Sequence, residues 1–100
     1  MNSKIKTDAV EALFDAVLTL KTKEDCYKFF EDVCTIKELL AMAQRYEVAT
    51  LLTKKMTYLD IAEKTGASTA TISRVNRSLE YGADGYEMVF ERLAAAEKEK

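Results

Sequence analysis

The sequence predicts an all-α chain, and three observations carry that prediction. Apolar residues recur at three- and four-residue spacing along the whole length, and no stretch alternates in the manner of a half-buried strand. The 100 residues contain no proline, and the three glycines all fall in the second half, so helix breakers are scarce. Hydroxyl residues followed three positions later by Asp or Glu recur along the chain, the mark of successive helix starts.

The elements follow in order. The first helix is expected to start at Asp8, with Glu11 as its capping-box partner. Val10, Leu13, Phe14, Val17 and Leu18 then form the i, i+3, i+4, i+7, i+8 stripe of an amphipathic helix. Thr22 with Asp25 opens a short second helix carrying Tyr27, Phe29, Phe30 and Val33. Thr35 with Glu38 is a capping box for a longer third helix, which carries Ile36, Leu39, Leu40, Ala43, Tyr46, Val48 and Leu51 or Leu52. Lys54 and Lys55 near its end suit the negative end of the helix dipole. Thr57 with Asp60 starts a fourth helix of barely two turns, and Gly66 fits the left-handed position just past it. Ser68 caps a fifth, whose apolar face is Ala70 in part, Ile72, Val75 and Leu79. Gly82 and Gly85 bracket a further break. Tyr86, Val89, Phe90 and Leu93 define a sixth helix expected to fray into AAAEKEK.

One domain spanning residues 1–100 accommodates these six helices. Helices this short depend on packing, and their apolar stripes exceed what one small core can cover. A second copy of the chain is expected to cover the surplus; a compact monomeric bundle is the alternative.

Composition narrows the function classes. No apolar run approaches the roughly 18–20 residues of a membrane span. The start MNSKIKTDAVEALF lacks an apolar signal-peptide core, so a cytoplasmic protein without membrane partners is expected. There is no histidine, and the two cysteines, Cys26 and Cys34, have no further thiol to join them, which excludes the common Cys/His zinc patterns. A disulfide between them is the alternative that the count allows, but in a reducing compartment both read as small buried hydrophobes. Without histidine, a phosphate-cradling glycine loop or a metal cluster, no enzyme activity and no cofactor are expected. Carboxylates such as Glu31 and Asp32 read as solvated helix faces.

The stretch YLDIAEKTGASTATISRVNRSL, residues 58–79, carries the functional signal. Two helices joined by a short glycine-containing turn form a helix-turn-helix, here over about residues 57–80. Ala62 is small where the helices must approach, Gly66 supplies the turn, and Ile61, Ile72 and Val75 point inward. The other face of the second helix presents Thr69, Ala70, Thr71, Ser73, Arg74 and Arg77, small near its start and basic further on. Short hydroxyl and methyl groups can approach base edges, the thymine methyl included, while arginines and backbone amides hold phosphates. Together with Lys64 and Ser68, these residues are the candidate DNA-binding set. The net charge of −2 is unevenly placed. Residues 53–80 hold five basic side chains (Lys54, Lys55, Lys64, Arg74, Arg77) against three acidic ones (Asp60, Glu63, Glu80), and both flanks are net negative. A plain helical corner with a solvated polar face is the bland alternative.

From Cys34 to Leu79, through CTIKELLAMAQRYEVATLL and MTYLDIAEKTGASTATISRVNRSL, the chain resembles the Trp-repressor family, in its Trp-repressor-related, YerC/YecD-type branch. The six-helix division fits the same family. The resemblance implies an all-α, Trp-repressor-like domain in an intertwined homodimer, with one recognition helix per subunit entering successive major grooves roughly 34–36 Å apart. It also implies that Thr69, Ala70, Thr71 and Ser73 face the bases, with water carrying part of the contact. In tryptophan-responsive members two arginines sandwich the indole, and a glycine follows the second. The corresponding positions here are Gln44, with Arg45 one residue off, then Arg74 and Val75; Ser78 matches a serine beside the ligand's amino group. Glutamine offers no flat cationic face, and one residue along a helix turns a side chain by about 100°, so Arg45 is a poor substitute. Valine occupies space the ligand needs. Gln44, Arg45, Arg74 and Ser78 are therefore a candidate ligand set in which tryptophan is disfavoured and any effector is unidentified.

The function expected is a dimeric, sequence-specific DNA-binding transcriptional regulator, a repressor of a pseudo-palindromic site. The alternative keeps the helical dimer as a protein-interaction module.

Overall fold

A computed structural model describes residues 2–99. It holds six α-helices among those residues: α1 (Asp8–Val17), α2 (Lys23–Val33), α3 (Ile36–Thr53), α4 (Tyr58–Thr65), α5 (Thr69–Tyr81) and α6 (Gly85–Lys98), preceded by a 3-10 turn at Ser3–Ile5. The all-α expectation is met.

Most boundaries sit where local capping chemistry puts them. The Thr22 hydroxyl accepts from the Asp25 N–H at 3.0 Å, and the Thr57 hydroxyl from the Asp60 N–H at 3.2 Å. Thr35 and Glu38 complete a reciprocal box, with Thr35 N–H donating to Glu38 Oε1 at 2.9 Å and Glu38 N–H to Thr35 Oγ1 at 3.1 Å. Three boundaries differ from the sequence expectation. Thr7, not Asp8, caps α1, because its hydroxyl accepts from Val10 N–H at 3.2 Å and leaves Asp8 as the first helical residue. That helix closes at Val17, with Leu18 outside it. At the other end α6 continues to Lys98, since alanine, glutamate and lysine are strong helix formers.

The third helix stops without a glycine. Lys55 takes φ 65°, Lys55 N–H donates to Leu52 O at 3.0 Å, and Met56 N–H reaches back to Leu51 O at 3.2 Å. These are the two bonds of a Schellman stop, here closed by a lysine in left-handed geometry.

The backbone divides into two compact units, one up to Leu39 and one from Leu40 onward. The second contains the core: Val48, Ala49 and Leu51 of α3, Ile61 of α4, Ala67 of the turn, and Ile72 and Val75 of α5. Leu52, Met56, Ala62, Leu79, Tyr86 and Phe90 pack around it. Tyr46 of α3 meets Phe90 and Tyr86 of α6, with ring centroids 5.6 and 6.5 Å away. Gly82 ends α5 where its N–H bonds Ser78 O at 3.0 Å; a Cβ there would collide with that carbonyl oxygen.

The first unit is different. None of its described residues is buried, and Leu18 and Ile36 are 82% and 80% exposed. Phe14, Tyr27 and Val33 are exposed as well. Burial of both cysteines is therefore corrected: both are free thiols, with Cys26 exposed and Cys34 half-buried, because this unit has no core of its own to take them.

Candidate nucleic-acid interface

The α4–turn–α5 segment is built by three local devices. Thr57 fixes the start of α4, and Gly66, at φ 75°, reverses the chain while its N–H closes on Ala62 O at 2.9 Å. Thr65 then ties both sides of the turn. Its hydroxyl donates to Ile61 O at 2.7 Å and accepts from Ala67 N–H at 3.1 Å. Ser68 caps α5 by accepting from Thr71 N–H at 3.1 Å. Between the helices, Ile61 and Ile72 are fully buried and Val75 nearly so, as their inward placement in the sequence requires. Burial of three such side chains holds α4 against α5 at roughly 1.5–3 kcal/mol each.

With the inner face fixed, the outer face of α5 follows from helix geometry. At about 100° per residue, Ala70, Ser73, Arg74 and Arg77 fall opposite Ile72, Val75 and Leu79. All four are exposed. They form an i, i+3, i+4, i+7 stripe in which two small side chains precede two guanidiniums. Thr69 lies on one flank of the stripe and is exposed, as are Ser68 and, at the end of α4, Lys64. Thr71 lies on the other flank and is half-buried, with its hydroxyl 3.1 Å from Ser68 Oγ. Its side chain is thus engaged in the cap. The stripe combines methyl and hydroxyl groups short enough for close approach with charge for phosphate oxygens.

The candidate ligand residues are not gathered in the same way. Gln44 borders a cavity of about 680 Å³ with Leu40, Ala43, Glu47, Lys64 and Thr65 among its walls. Ser78 borders another, of about 520 Å³, together with Tyr46, Gly82, Tyr86 and Val89. Arg45 and Arg74 line neither of these two cavities. Gln44 instead donates from Nε2 to the Thr65 carbonyl oxygen at 3.2 Å.

Sequence reasoning passed over Thr65. A threonine directly before the turn glycine, able to reach back four residues to a carbonyl, was the available signal. The sequence marks Gln44 by its position but not its partner, since the two residues stand 21 apart in sequence.

The sequence profile of the Trp repressor protein family matches residues 8–94. The chain belongs to the Trp-repressor family. A relative in Bacillus subtilis (strain 168), the uncharacterized protein YerC, is 50% identical over 96 residues, covering 96% of this chain and 92% of its own. Among solved structures, a TrpR-like protein from Eubacterium eligens superposes with a TM-score of 0.90 at 68% identity, over 93% of this chain and 96% of the other. A candidate Trp repressor from Staphylococcus aureus gives 0.88 at 47% identity, over 92% of each chain. The Trp-repressor-family match spans all six helices but for the last residues of α6.

Proposed function

We propose that this protein is a transcriptional regulator that binds double-stranded DNA sequence-specifically as a homodimer, repressing from a pseudo-palindromic site without tryptophan as corepressor. The observation that carries the reading is the outer stripe of α5, with Ala70, Ser73, Arg74 and Arg77 exposed on a helix whose reverse face is locked into the core. Family membership and the similarity to a candidate Trp repressor support the same class of function.

Dimerisation is supported by the first unit. Its exposed Leu13, Phe14, Leu18, Tyr27, Val33 and Ile36 leave roughly 600 Å² of apolar side chain uncovered, close to the ~800 Å² per partner of a standard interface. None of the described residues there is buried, and a second copy of the same stripes would supply the cover.

Independence from tryptophan is supported by Val75 and Gln44. Val75 is 2% exposed and packs in the core, where the family resemblance puts a glycine. The Gln44 amide is already spent on Thr65. Gln44 offers an indole ring no guanidinium to stack on, and Val75 fills space where the resemblance puts a glycine.

The test is selection of genomic DNA fragments by the purified protein at near-physiological salt without added ligand. A variant altered at Thr71, Ser73, Arg74 and Arg77 serves as control. The expected result is a two-half-site motif that the variant fails to recover. Enrichment of no motif, with elution from heparin at very low salt, would instead favour a helical dimer that binds other proteins.

A further inference from the structure

We infer that Gln44 is a positioning residue for the DNA-reading helix: from α3 it braces the turn that sets the direction of α5. The inference rests on the DNA-binding reading for its consequence, but not for the brace itself.

Two kinds of attachment hold α4 and α5 to α3. Val48, Ala49 and Leu51 pack against Ile61, Ile72 and Val75 in one apolar cluster. Such packing is non-directional and resists separation more than rotation. The Gln44 bond is directional. Its Nε2 donates at 3.2 Å to the Thr65 carbonyl, one of the last carbonyls of α4 that lack a helical partner, in a partly buried setting. The same residue's hydroxyl bonds Ile61 O on one side and Ala67 N–H on the other. Ala67 is buried and leads directly into the Ser68 cap. An unbroken path therefore runs from α3 through Gln44, Thr65 and Ala67 to the first turn of α5.

Small rotations at this turn matter. Arg77 lies eight residues beyond Thr69, about 12 Å along the axis at about 1.5 Å per residue. A tilt of about 10° at the turn shifts Arg77 by about 2 Å, more than a hydrogen bond to a base edge or phosphate tolerates. Because the brace is a side chain of the protein itself, the helix is aimed without a bound small molecule.

Gln44→Leu removes the donor at similar volume. Gln44→Glu keeps the shape but at neutral pH sets a carboxylate against the Thr65 carbonyl; below about pH 4 the protonated acid donates again. Amide hydrogen exchange is read residue by residue, with DNA affinity measured in parallel. In Gln44→Leu, exchange at Gly66–Thr71 is expected to quicken about three- to tenfold, the factor one net hydrogen bond supports, while Val48 and Leu51 stay protected. Preference for the selected site over random DNA should fall by at least that factor. Gln44→Glu should match Gln44→Leu at pH 7 and approach the wild type, compared at equal pH, below about pH 4.

Unchanged exchange at the turn in Gln44→Leu, or a Gln44→Glu protein like the wild type at pH 7, would overturn the brace. Faster exchange with unaltered site preference would overturn its positioning role. If the wild type binds no DNA, the DNA-binding reading falls while the exchange data still decide the brace.

Discussion

Arg77 stands at the far end of the outer stripe of α5, exposed, eight residues into a helix whose opposite face is fixed in the core. If the stripe enters the major groove, the Arg77 guanidinium meets a backbone phosphate, and a homodimer carries it twice. Each phosphate neutralised adds about 0.9 to the slope of log affinity against log salt. Arg77→Ala should therefore flatten that slope by about 1.8 for the dimer. Over the fourfold range from about 50 to about 200 mM salt, the wild type then loses about twelvefold more affinity than the variant. Fluorescence anisotropy on a selected site, at four salt concentrations, measures this directly. Arg92→Ala is the control, being an exposed arginine on α6 outside the motif. A slope that Arg77→Ala leaves unchanged, or that Arg92→Ala flattens equally, would refute the groove placement. A change of only about 0.9 would refute the two-copy arrangement.

Other expectations concern stability. Ser68→Ala removes the cap of α5 and should cost about 1 kcal/mol, lowering Tm by about 4–8 °C in a thermal melt. Lys55→Gly should do the opposite, since left-handed geometry at φ 65° strains a residue with a Cβ; a net gain of roughly 0.5 kcal/mol would raise Tm by about 2–4 °C. Gly82→Ala places a Cβ against the Ser78 carbonyl oxygen, a backbone atom that cannot swing away, and should lower urea resistance by about 1–3 kcal/mol. Thr35 N–H first, and its hydroxyl second, hold the Glu38 carboxyl below its usual pKa, with slight desolvation opposing. A folded-state pKa below the unfolded one means this stabilisation is complete above about pH 4.3 and is lost as pH falls through the lowered value. Glu38→Gln should remove that acid-side loss, followed through the Thr35 amide shift by NMR; identical pH profiles would count against the box.

What the sequence made legible was chemistry confined to three or four residues. Thr22, Thr35, Thr57, Gly66 and Ser68 all do what their neighbours imply, because each partner lies within one helical turn. Thr7 and Asp8 are both good caps, and only the backbone decides between them. Lys55 could not be foreseen in left-handed geometry, since its conformation is set by the stop of α3 and not by any preference of lysine. The inward set Ile61, Ile72 and Val75 was readable from spacing alone. That Gln44 reaches Thr65, or that Ser78 and Gln44 border different cavities, depends on how helices far apart in sequence meet. Cys26 differs for a related reason: a free thiol's apolar character favours burial, but does not say whether the same chain covers it.

A second copy covering the first unit, as proposed, would tie the protein's state to its own abundance. Side chains left as exposed as Phe14, Leu18 and Tyr27 are covered only to the extent that another surface meets them, and mass action sets that extent. With a second copy as that surface, dilution loosens α1 and α2 while the core around Ile61 and Ile72 persists. A cell making few copies would hold mostly chains with Phe14, Leu18 and Tyr27 open to proteases, and doubling synthesis would raise the intact population more than twofold. Expression level would then act as a threshold, built from residues far along the chain from the stripe on α5.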